Sequence, residues 1–225
     1  MRCWLPVSLP PSFSVKSDHM KSQALRGEYA LVGMAESAVG VVPDKSPREL
    51  CVEVTLNAVK DAGLTLSDCD GLITCNAFAE PILYHAEAVA EYLGWQPRHC
   101  VTVNTGGGTT FMAINMAIAA IAAGMADTIV VSMADSLRSF MTRDQAMVVQ
   151  SSSGHPHYEQ PYGPTVPAYY ALIARAHMDR FGTTEAQFAE AAVSCRAWAN
   201  QHPNAQKREL ITVDDVLQSR PIADP

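Results

Sequence analysis

Residues 103–124, VNTGGGTTFMAINMAIAAIAAG, constrain the fold of this chain more than any other segment. Three consecutive glycines, at 106–108, stand between a strand-like run and a helix-length stretch of apolar residues. A helix that is apolar on every face must be buried on every face. The segment therefore predicts a central helix with a sheet on one side and a second sheet or a partner subunit on the other.

The segments around this helix alternate between strand and helix patterns. Ser46 and Glu49 form a capping-box pattern, Pro47 suits the first helical position, and Gly63 ends that helix. Alternating strands and helices imply right-handed crossovers and a mostly parallel sheet, so the fold class is α/β. We expect strands at 29–37, 70–78, 99–105 and 127–133, and helices at 46–63, 84–94 and 108–123.

The pattern changes after residue 134, and this change suggests the domain organisation. Residues 135–164 are rich in Ser, Gly, Pro and His and are typical of an ordered loop. Helices are expected at 165–181, 184–201 and 212–219, the last two with Thr-x-x-Gln and Thr-x-x-Asp starts. We divide the chain into a disordered leader at 1–27, an α/β core at 28–134, and a loop and helical subdomain at 135–225 that looks truncated.

Charge and cysteine content exclude several classes of function. The net charge is -7, and no cluster of Lys and Arg is present, which argues against nucleic-acid binding. No apolar stretch is long enough to span a bilayer. The 6 cysteines fit no zinc-site spacing, and without a secretory signal they are expected to be reduced thiols in a cytoplasmic protein, most of them in the core.

The glycine run permits two interpretations on spacing alone. Backbone N–H groups at a helix start can cradle a phosphate, but Phe111 occupies the position where a dinucleotide-binding fingerprint needs its third glycine. A P-loop is excluded because no Gly-Lys-Ser/Thr follows. The alternative is a tight turn that lets helix and strand approach closely.

The loop at 151–164 contains side chains that could bind a ligand. His155 and His157 lack a third ligand at a metal-site spacing, so no metal site is predicted. Tyr158 and Tyr162 could line a site for an apolar ligand. Packing of the following helix explains Tyr169 or Tyr170 equally well.

Four stretches in a consistent order resemble the thiolase superfamily, especially its sterol-carrier-protein-linked, lipid-transfer type. They are SPRELCVEVTLNAVKDAGL (46–64), VNTGGGTTFMAINMAIAAIAAGMADTIVVSM (103–133), YEQPYGPTVPAYYALIARAHMDRFGTTEAQFAEAAVSCRAWANQHPNA (158–205) and TVDDVLQSRPIADP (212–225). The resemblance implies a five-layer αβαβα fold built from two similar halves. It also implies a homodimer, acyl-CoA or sterol-like CoA thioesters as substrates, and no bound cofactor.

The resemblance also implies a missing nucleophile. Active thiolases carry a cysteine at the N-terminus of the central helix, where the helix dipole lowers a thiol pKa. Aligning Val103 and Asn104 with the family's Val-Asn, and Ala113 with its helix alanine, places that position at Gly107. An acyl-cysteine cycle there is chemically excluded. The family's catalytic histidines and second cysteine belong to a C-terminal half that lies beyond this chain, so we expect these 225 residues alone to be inactive.

Thiolase-like proteins that pair with a zinc-ribbon/OB-fold partner resemble this pattern and act as aldolases on CoA esters of sterol side chains. A retro-aldol step requires a base and stabilisation of a thioester enolate, but no acyl-enzyme. The substrate-binding and oxyanion-binding candidates are Gly106, Gly107, Gly108, Thr109, Tyr158 and Tyr162, and no residue is assigned as catalytic. The alternatives are a non-catalytic acyl-CoA or lipid carrier or structural subunit, and an acetyl-CoA acyltransferase whose thiol the alignment misplaces.

Overall fold

The computed structural model describes residues 25–152 and 154–223, so almost all of the expected leader at 1–27 lies outside the described residues. Three strands and eight helices form there. The strands are β1 (Gly71–Thr74), β2 (His99–Thr102) and β3 (Ile129–Ser132). The helices are α1 (Pro47–Asp61), α2 (His85–Tyr92), α3 (Thr109–Ala122), α4 (Leu137–Phe140), α5 (Arg143–Ser151), α6 (Val166–Phe181), α7 (Glu185–Gln201) and α8 (Val213–Leu217).

The three strands form a parallel sheet in the order β2-β1-β3. All four residues of the central strand β1 are buried, because helices cover both of its faces. Leu72 packs with residues of α1 and α2, including Cys51 and Val89. Ile73, the next residue, packs with Ala113 of α3 on the opposite face, as the two-residue period of a strand requires. The sheet therefore lies between α1 and α2 on one side and α3 on the other.

Helix α1 begins as its sequence predicts. The Ser46 hydroxyl accepts a hydrogen bond from the Glu49 amide at 3.2 Å, and the Glu49 carboxylate accepts one from the Ser46 amide at 2.7 Å. These bonds satisfy two backbone donors that a helix start would otherwise leave unpaired. The capping box and the proline at the first helical position are thus confirmed.

The outer face of α3 differs from the expectation of burial on every side. Ala113, Ala117 and Ala120 are buried against the sheet side, but Phe111 is 73% exposed and Met112 is 43% exposed. Within the described residues, the helix therefore has its predicted sheet on one side and no second layer on the other. The two-sheet arrangement implied by the resemblance stays a prediction for a longer protein or an assembly.

The strand predicted at 29–37 is wrong, since this segment forms no ladder with the described sheet. It runs instead beside the C-terminal end of α1, where the Met34 amide donates to the Asp61 carboxylate at 2.9 Å. A side chain at Gly33 would come within 2.3 Å of the Ala58 carbonyl oxygen, so the backbone contact itself excludes larger residues. An apolar run predicts a strand only where a neighbouring strand offers hydrogen bonds, and none is available to it here.

The loop predicted at 135–164 also needs correction, because it contains α4 and α5. Helix α5 starts at a capping box in which Thr142 and Gln145 exchange hydrogen bonds. This Thr-x-x-Gln pattern is visible in the sequence and could have predicted the helix. The three later helices are confirmed, and the capping boxes of α7 and α8 form as expected.

Truncating a side chain of the buried strand should destabilise the whole sheet. We expect Leu72→Ala to lower the free energy of unfolding by about 3 kcal/mol, because Leu72 is completely buried and its removal leaves a cavity. The matched control is Leu83→Ala, whose side chain is 77% exposed and whose loss should cost about 0.5 kcal/mol or less. Urea unfolding followed by circular dichroism measures both, and equal losses would contradict this packing.

Candidate functional site

The carboxyl ends of the three strands lie at one edge of the sheet, in register at Thr74, Thr102 and Ser132. In open parallel sheets this edge is where ligands bind, because the connecting loops converge there. The segments that leave it are the loop at 75–84, the glycine turn at 103–108 and the segment at 133–136. The glycine turn predicted to carry function therefore lies at the chemically favoured edge.

The hydroxyl groups at the ends of the strands form hydrogen bonds with the helices that pack on one face of the sheet. Thr74 Oγ1 is 3.0 Å from Nδ1 of His85, and Thr102 Oγ1 accepts from the Ala86 amide at 2.9 Å. Ser132 Oγ donates to the Cys51 carbonyl at 3.1 Å. His85 is almost completely buried, and burial holds the pKa of its imidazole below the ordinary value. These polar groups are structural, since each is committed to a contact between sheet and helix.

The glycine turn is a compact structure closed by one threonine. The Thr105 amide donates to Thr109 Oγ1 at 2.9 Å, and that hydroxyl donates to the Gly106 carbonyl at 2.6 Å. Gly106 has a φ of +66°, a conformation that residues with a side chain rarely adopt. The Thr109 side chain is buried, whereas the glycines at 106–108 are exposed. The turn therefore presents bare backbone to the surface at the start of α3.

Gly107 is not required by the backbone of the turn. Its φ lies outside the left-handed region, and apart from Gly107 and its two chain neighbours no described heavy atom lies within 4 Å of the position that a Cβ atom would occupy. A Cβ atom would therefore meet open space there. The structure thus has space for a nucleophile at the helix start, while the sequence leaves the position without one.

No neighbouring cysteine compensates for the missing thiol within the turn. Cys100 lies on β2, and burial together with the Glu87 carboxylate raises the pKa of its thiol to about 11. Cys51 lies on α1, and burial raises the pKa of its thiol to about 11 as well. Thiols with such pKa values hold almost no thiolate at neutral pH, so neither is an activated nucleophile.

The start of α3 is nevertheless electropositive. The first N–H groups of a helix have no intrahelical acceptor, and the helix dipole places positive potential at that end. The Thr109 amide already donates to the Gly106 carbonyl at 3.1 Å, which removes it from the set of free donors. Gly107 and Gly108, directly before the first helical residue, are exposed and lie where a ligand oxygen could approach. Such a site can stabilise a developing negative charge on an oxygen.

The described contacts of the two predicted tyrosines are made away from the glycine turn. Tyr158 is 77% exposed and its ring packs 4.7 Å from the ring of His155, while Tyr162 is 84% exposed in a short 3-10 turn at Gln160–Tyr162. Among the described residues, neither tyrosine forms a hydrogen bond with the glycine turn. Tyr169 packs closely against Gly154, where an added Cβ would lie 2.7 Å from the tyrosine hydroxyl oxygen. Tyr158 therefore contacts His155 within the loop at 151–164 and makes no described hydrogen bond with the start of α3.

The loop at 75–84 is held in place by groups that the sequence analysis missed. The Asp135 carboxylate accepts from the Phe78 amide at 2.7 Å and from the Ala79 amide at 3.3 Å. Arg48 of α1 forms an ion pair with Glu80 of the same loop. Asp135 comes two residues after the strand predicted at 127–133, at the edge where loops converge, and that position was the available signal.

Two kinds of site are absent from the part of the chain that the structure describes. No group of three or more His, Cys, Asp and Glu side chains converges in a geometry that could hold a metal ion. No described helix combines the length and the apolar character needed to cross a bilayer.

The comparisons with known proteins extend over most of the chain, although no protein-family profile matches it. It is 27% identical over 201 residues to the acetyl-CoA acetyltransferase of Methanothermobacter thermautotrophicus, covering 88% of this chain and 52% of that protein. It is 30% identical to the 17-hydroxy-3-oxo-4-pregnene-20-carboxyl-CoA lyase of Mycobacterium tuberculosis, covering 89% of this chain and 53% of the lyase. Among solved structures, the Ltp2-ChsH2(DUF35) aldolase matches with a TM-score of 0.72 and 30% identity, over 87% of this chain and 50% of that chain. The chain therefore spans about half the length of the relatives it matches.

Adjacent glycines of the turn should respond differently to the same substitution. We expect Gly106→Ala to lower the free energy of unfolding by about 1–2 kcal/mol, because the positive φ is unfavourable for a residue with a Cβ atom. Gly107→Ala is the matched control and should change stability by about 0.5 kcal/mol or less, since its Cβ meets open space. Thermal or urea unfolding measures the difference, and a larger loss for Gly107→Ala would contradict the geometry of the turn.

The thiols of the buried Cys51 and the half-buried Cys100 should react more slowly than that of the exposed Cys195. At pH 7.5 we expect iodoacetamide to modify Cys195, which is exposed, well before Cys51 or Cys100, as followed by peptide mass spectrometry. The raised pKa of Cys51 also means that the unfolded thiol ionises first as the pH rises from 9.0 to about 11. The free energy of unfolding should therefore decrease over that interval. First labelling at Cys51 or Cys100 would contradict the burial that the structure shows.

Proposed function

Because this chain belongs to the thiolase superfamily, as a member similar to sterol carrier protein 2, we propose that the complete protein is a retro-aldol lyase. Its proposed substrates are β-hydroxyacyl-CoA thioesters of steroid or lipid metabolism. The observation that carries the proposal is Gly107, which leaves the start of α3 electropositive but without a nucleophile. CoA enters this proposal as part of the substrate and not as a resident cofactor.

The proposed reaction is balanced without a covalent enzyme intermediate. A base removes the proton of the β-hydroxyl group, the bond between the α and β carbons breaks, and the β carbon becomes a ketone or aldehyde. The electron pair of that bond moves into the thioester enolate, whose α carbon then takes up a proton. Negative charge develops on the thioester oxygen, and the exposed backbone at Gly107 and Gly108 is proposed to stabilise it.

The base is proposed to come from outside the glycine turn. The polar side chains of the turn and of the first two residues of α3 are those of Asn104, Thr105, Thr109 and Thr110, none of which ionises near neutral pH. The chain spans only about half the length of its relatives, so the remaining half or a partner subunit is the proposed source.

The names of the relatives support cleavage over thiolysis. The lyase that is 30% identical, and a steroid side-chain-cleaving aldolase of Thermomonospora curvata that is 29% identical, are both named for bond cleavage in steroids. The acetyl-CoA acetyltransferase is 27% identical. An acetyltransferase cycle through an acyl-cysteine needs a thiol at the helix start, and Gly107 cannot supply one.

The proposed assembly includes a second protein. The matching aldolase is named for two proteins, Ltp2 and ChsH2, which supports a partner for this chain as well. We propose a zinc-ribbon/OB-fold protein as that partner, together with a homodimer of the thiolase-like subunit and a cytoplasmic location. The open outer face of α3, with Phe111 73% exposed, requires cover in such an assembly.

A carrier or structural subunit is the second candidate function. It is favoured by one observation, the lack of any ionisable side chain in the glycine turn itself. A carrier would bind acyl-CoA at the same helix start and release it unchanged.

The deciding experiment is an assay of the full-length protein together with its partner. We expect a steroid β-hydroxyacyl-CoA to be split into a ketone and a shorter acyl-CoA, as detected by chromatography and mass spectrometry. We also expect no mass increase on the protein during turnover, because no acyl-enzyme forms. Gly107→Cys is the matched variant and is expected to gain a thiol that iodoacetamide labels while the fold is retained.

Two results would contradict the proposal. Tight binding of the thioester without cleavage would establish the carrier function instead. An acyl adduct on the unmodified protein, mapped to any cysteine, would show that the alignment at Gly107 is misplaced and that the protein follows the acyltransferase cycle.

A further inference from the structure

A concave apolar surface lies between the loop at 75–84 and the helices that follow β3. This groove has a volume of about 540 Å³. Its apolar lining includes Phe78, Phe140 and Val148, whose side chains are 58%, 48% and 66% exposed. The polar part of its lining is Asp144 and Gln145. Exposed aromatic and aliphatic groups arranged around a concavity of this size are typical of small-molecule sites.

Both walls of the groove are fixed by a single carboxylate. Asp135 accepts from the amides of Phe78 and Ala79 on the loop side, and from the amide of Ser136, at 2.7 Å, directly before α4 on the helix side. The capping box of Thr142 and Gln145 fixes the start of α5, which carries Val148. The groove is thus held open by hydrogen bonds that leave the apolar side chains of its lining unused, so a ligand meets a largely preformed site.

The groove and the glycine turn share the carboxyl edge of the sheet. Phe78 follows the central strand β1, the helices α4 and α5 follow β3, and the turn follows β2 on the other side of β1. Neighbouring strands are about 4.8 Å apart, so the ends of β2 and β3 are separated by roughly 10 Å. A molecule whose reacting group lies at the turn can therefore extend its body along the edge toward the groove.

The side chains that line the groove favour binding of the apolar body of a CoA thioester over binding of its phosphates. Among the described residues, no Lys or Arg lines the groove, and Asp144 adds a carboxyl group to it, so the phosphates of CoA are unfavourable occupants. Apolar surface is favourable for a large apolar body, because its burial removes hydrocarbon from water.

We propose that this groove binds the fused-ring apolar body of a steroid substrate, and that Phe78, Phe140 and Val148 determine specificity for it. The inference rests on the proposed lyase function for the identity of the reacting group. It assigns substrate specificity to residues that lie outside the glycine turn and that do not include Tyr158 or Tyr162.

Binding of a neutral steroid tests the groove independently of turnover. We expect progesterone to bind the full-length protein in equilibrium dialysis. Phe78→Ala should weaken that binding about tenfold or more, since an aromatic contact is lost. Val148→Asp should weaken it similarly by adding charge to the groove at an exposed helix position that tolerates polar residues. Leu172→Ala, an exposed apolar residue of α6, is the matched control and should bind progesterone as the unmodified protein does.

The catalytic assay then separates specificity from chemistry. With a steroid β-hydroxyacyl-CoA, Phe78→Ala should raise KM about tenfold and change kcat little, while KM for a four-carbon β-hydroxyacyl-CoA should be unchanged. Equal progesterone affinity in all variants, or absence of binding to the unmodified protein, would overturn the inference. It would also be overturned if the variants weakened association with the partner or a second copy, measured by analytical ultracentrifugation, and left steroid binding intact.

The same data distinguish this inference from the proposed function. Groove-dependent progesterone binding without any thioester cleavage would support the groove and contradict the lyase proposal. Cleavage whose KM is unaffected by Phe78→Ala and Val148→Asp would support the lyase proposal and contradict the groove.

Discussion

The complete burial of β1 between helices on both faces is the constraint on which the rest of the structure depends. Leu72 joins β1 to α1 and α2, and Ile73 joins it to α3, so one four-residue strand links both halves of the core. Because β1 is central, it also fixes where β2 and β3 end. The helix start at Gly107 and the loop at 75–84 take their positions from those ends.

The polar groups at the carboxyl edge of the sheet fall into two sets, one that packs against helices and one that is exposed. The hydroxyls of Thr74, Thr102 and Ser132 contact helices and are committed to packing. The glycine turn remains exposed, closed from within by the Thr109 hydroxyl. Because these hydrogen bonds lie within the turn, its outer surface is available to a ligand, and the dipole of α3 makes that surface electropositive. In the proposed lyase, the missing side chain at Gly107 decides the chemistry, since such a helix start can stabilise negative charge but offers no thiol for covalent catalysis.

Local patterns in the sequence predicted most elements of the fold, because capping and periodicity depend on near neighbours in the chain. The box of Ser46 and Glu49 located the start of α1, and the apolar runs located all three strands of the sheet. The same reasoning was wrong at 29–37, where an apolar run lies beside α1 and finds no strand to pair with. It overlooked α5, whose capping box lies in a segment that composition alone marks as a loop. Whether a segment pairs as a strand depends on other segments that are distant in the chain. The overall composition of a segment conceals short local patterns such as a capping box.

By itself, the sequence determined that the helix start carries no nucleophile, since the identity of residue 107 is independent of how the chain folds. It also determined the family resemblance and the parallel α/β class, because both follow from the order of patterns along the chain. Only the tertiary structure decided that Gly107 has space for a side chain and that Phe78 and Phe140 share one groove. Asp135 lies 57 residues from Phe78 in the chain and contacts its amide only because β1 and β3 are neighbours. Contacts between distant segments arise from packing of the sheet, and no local pattern encodes them.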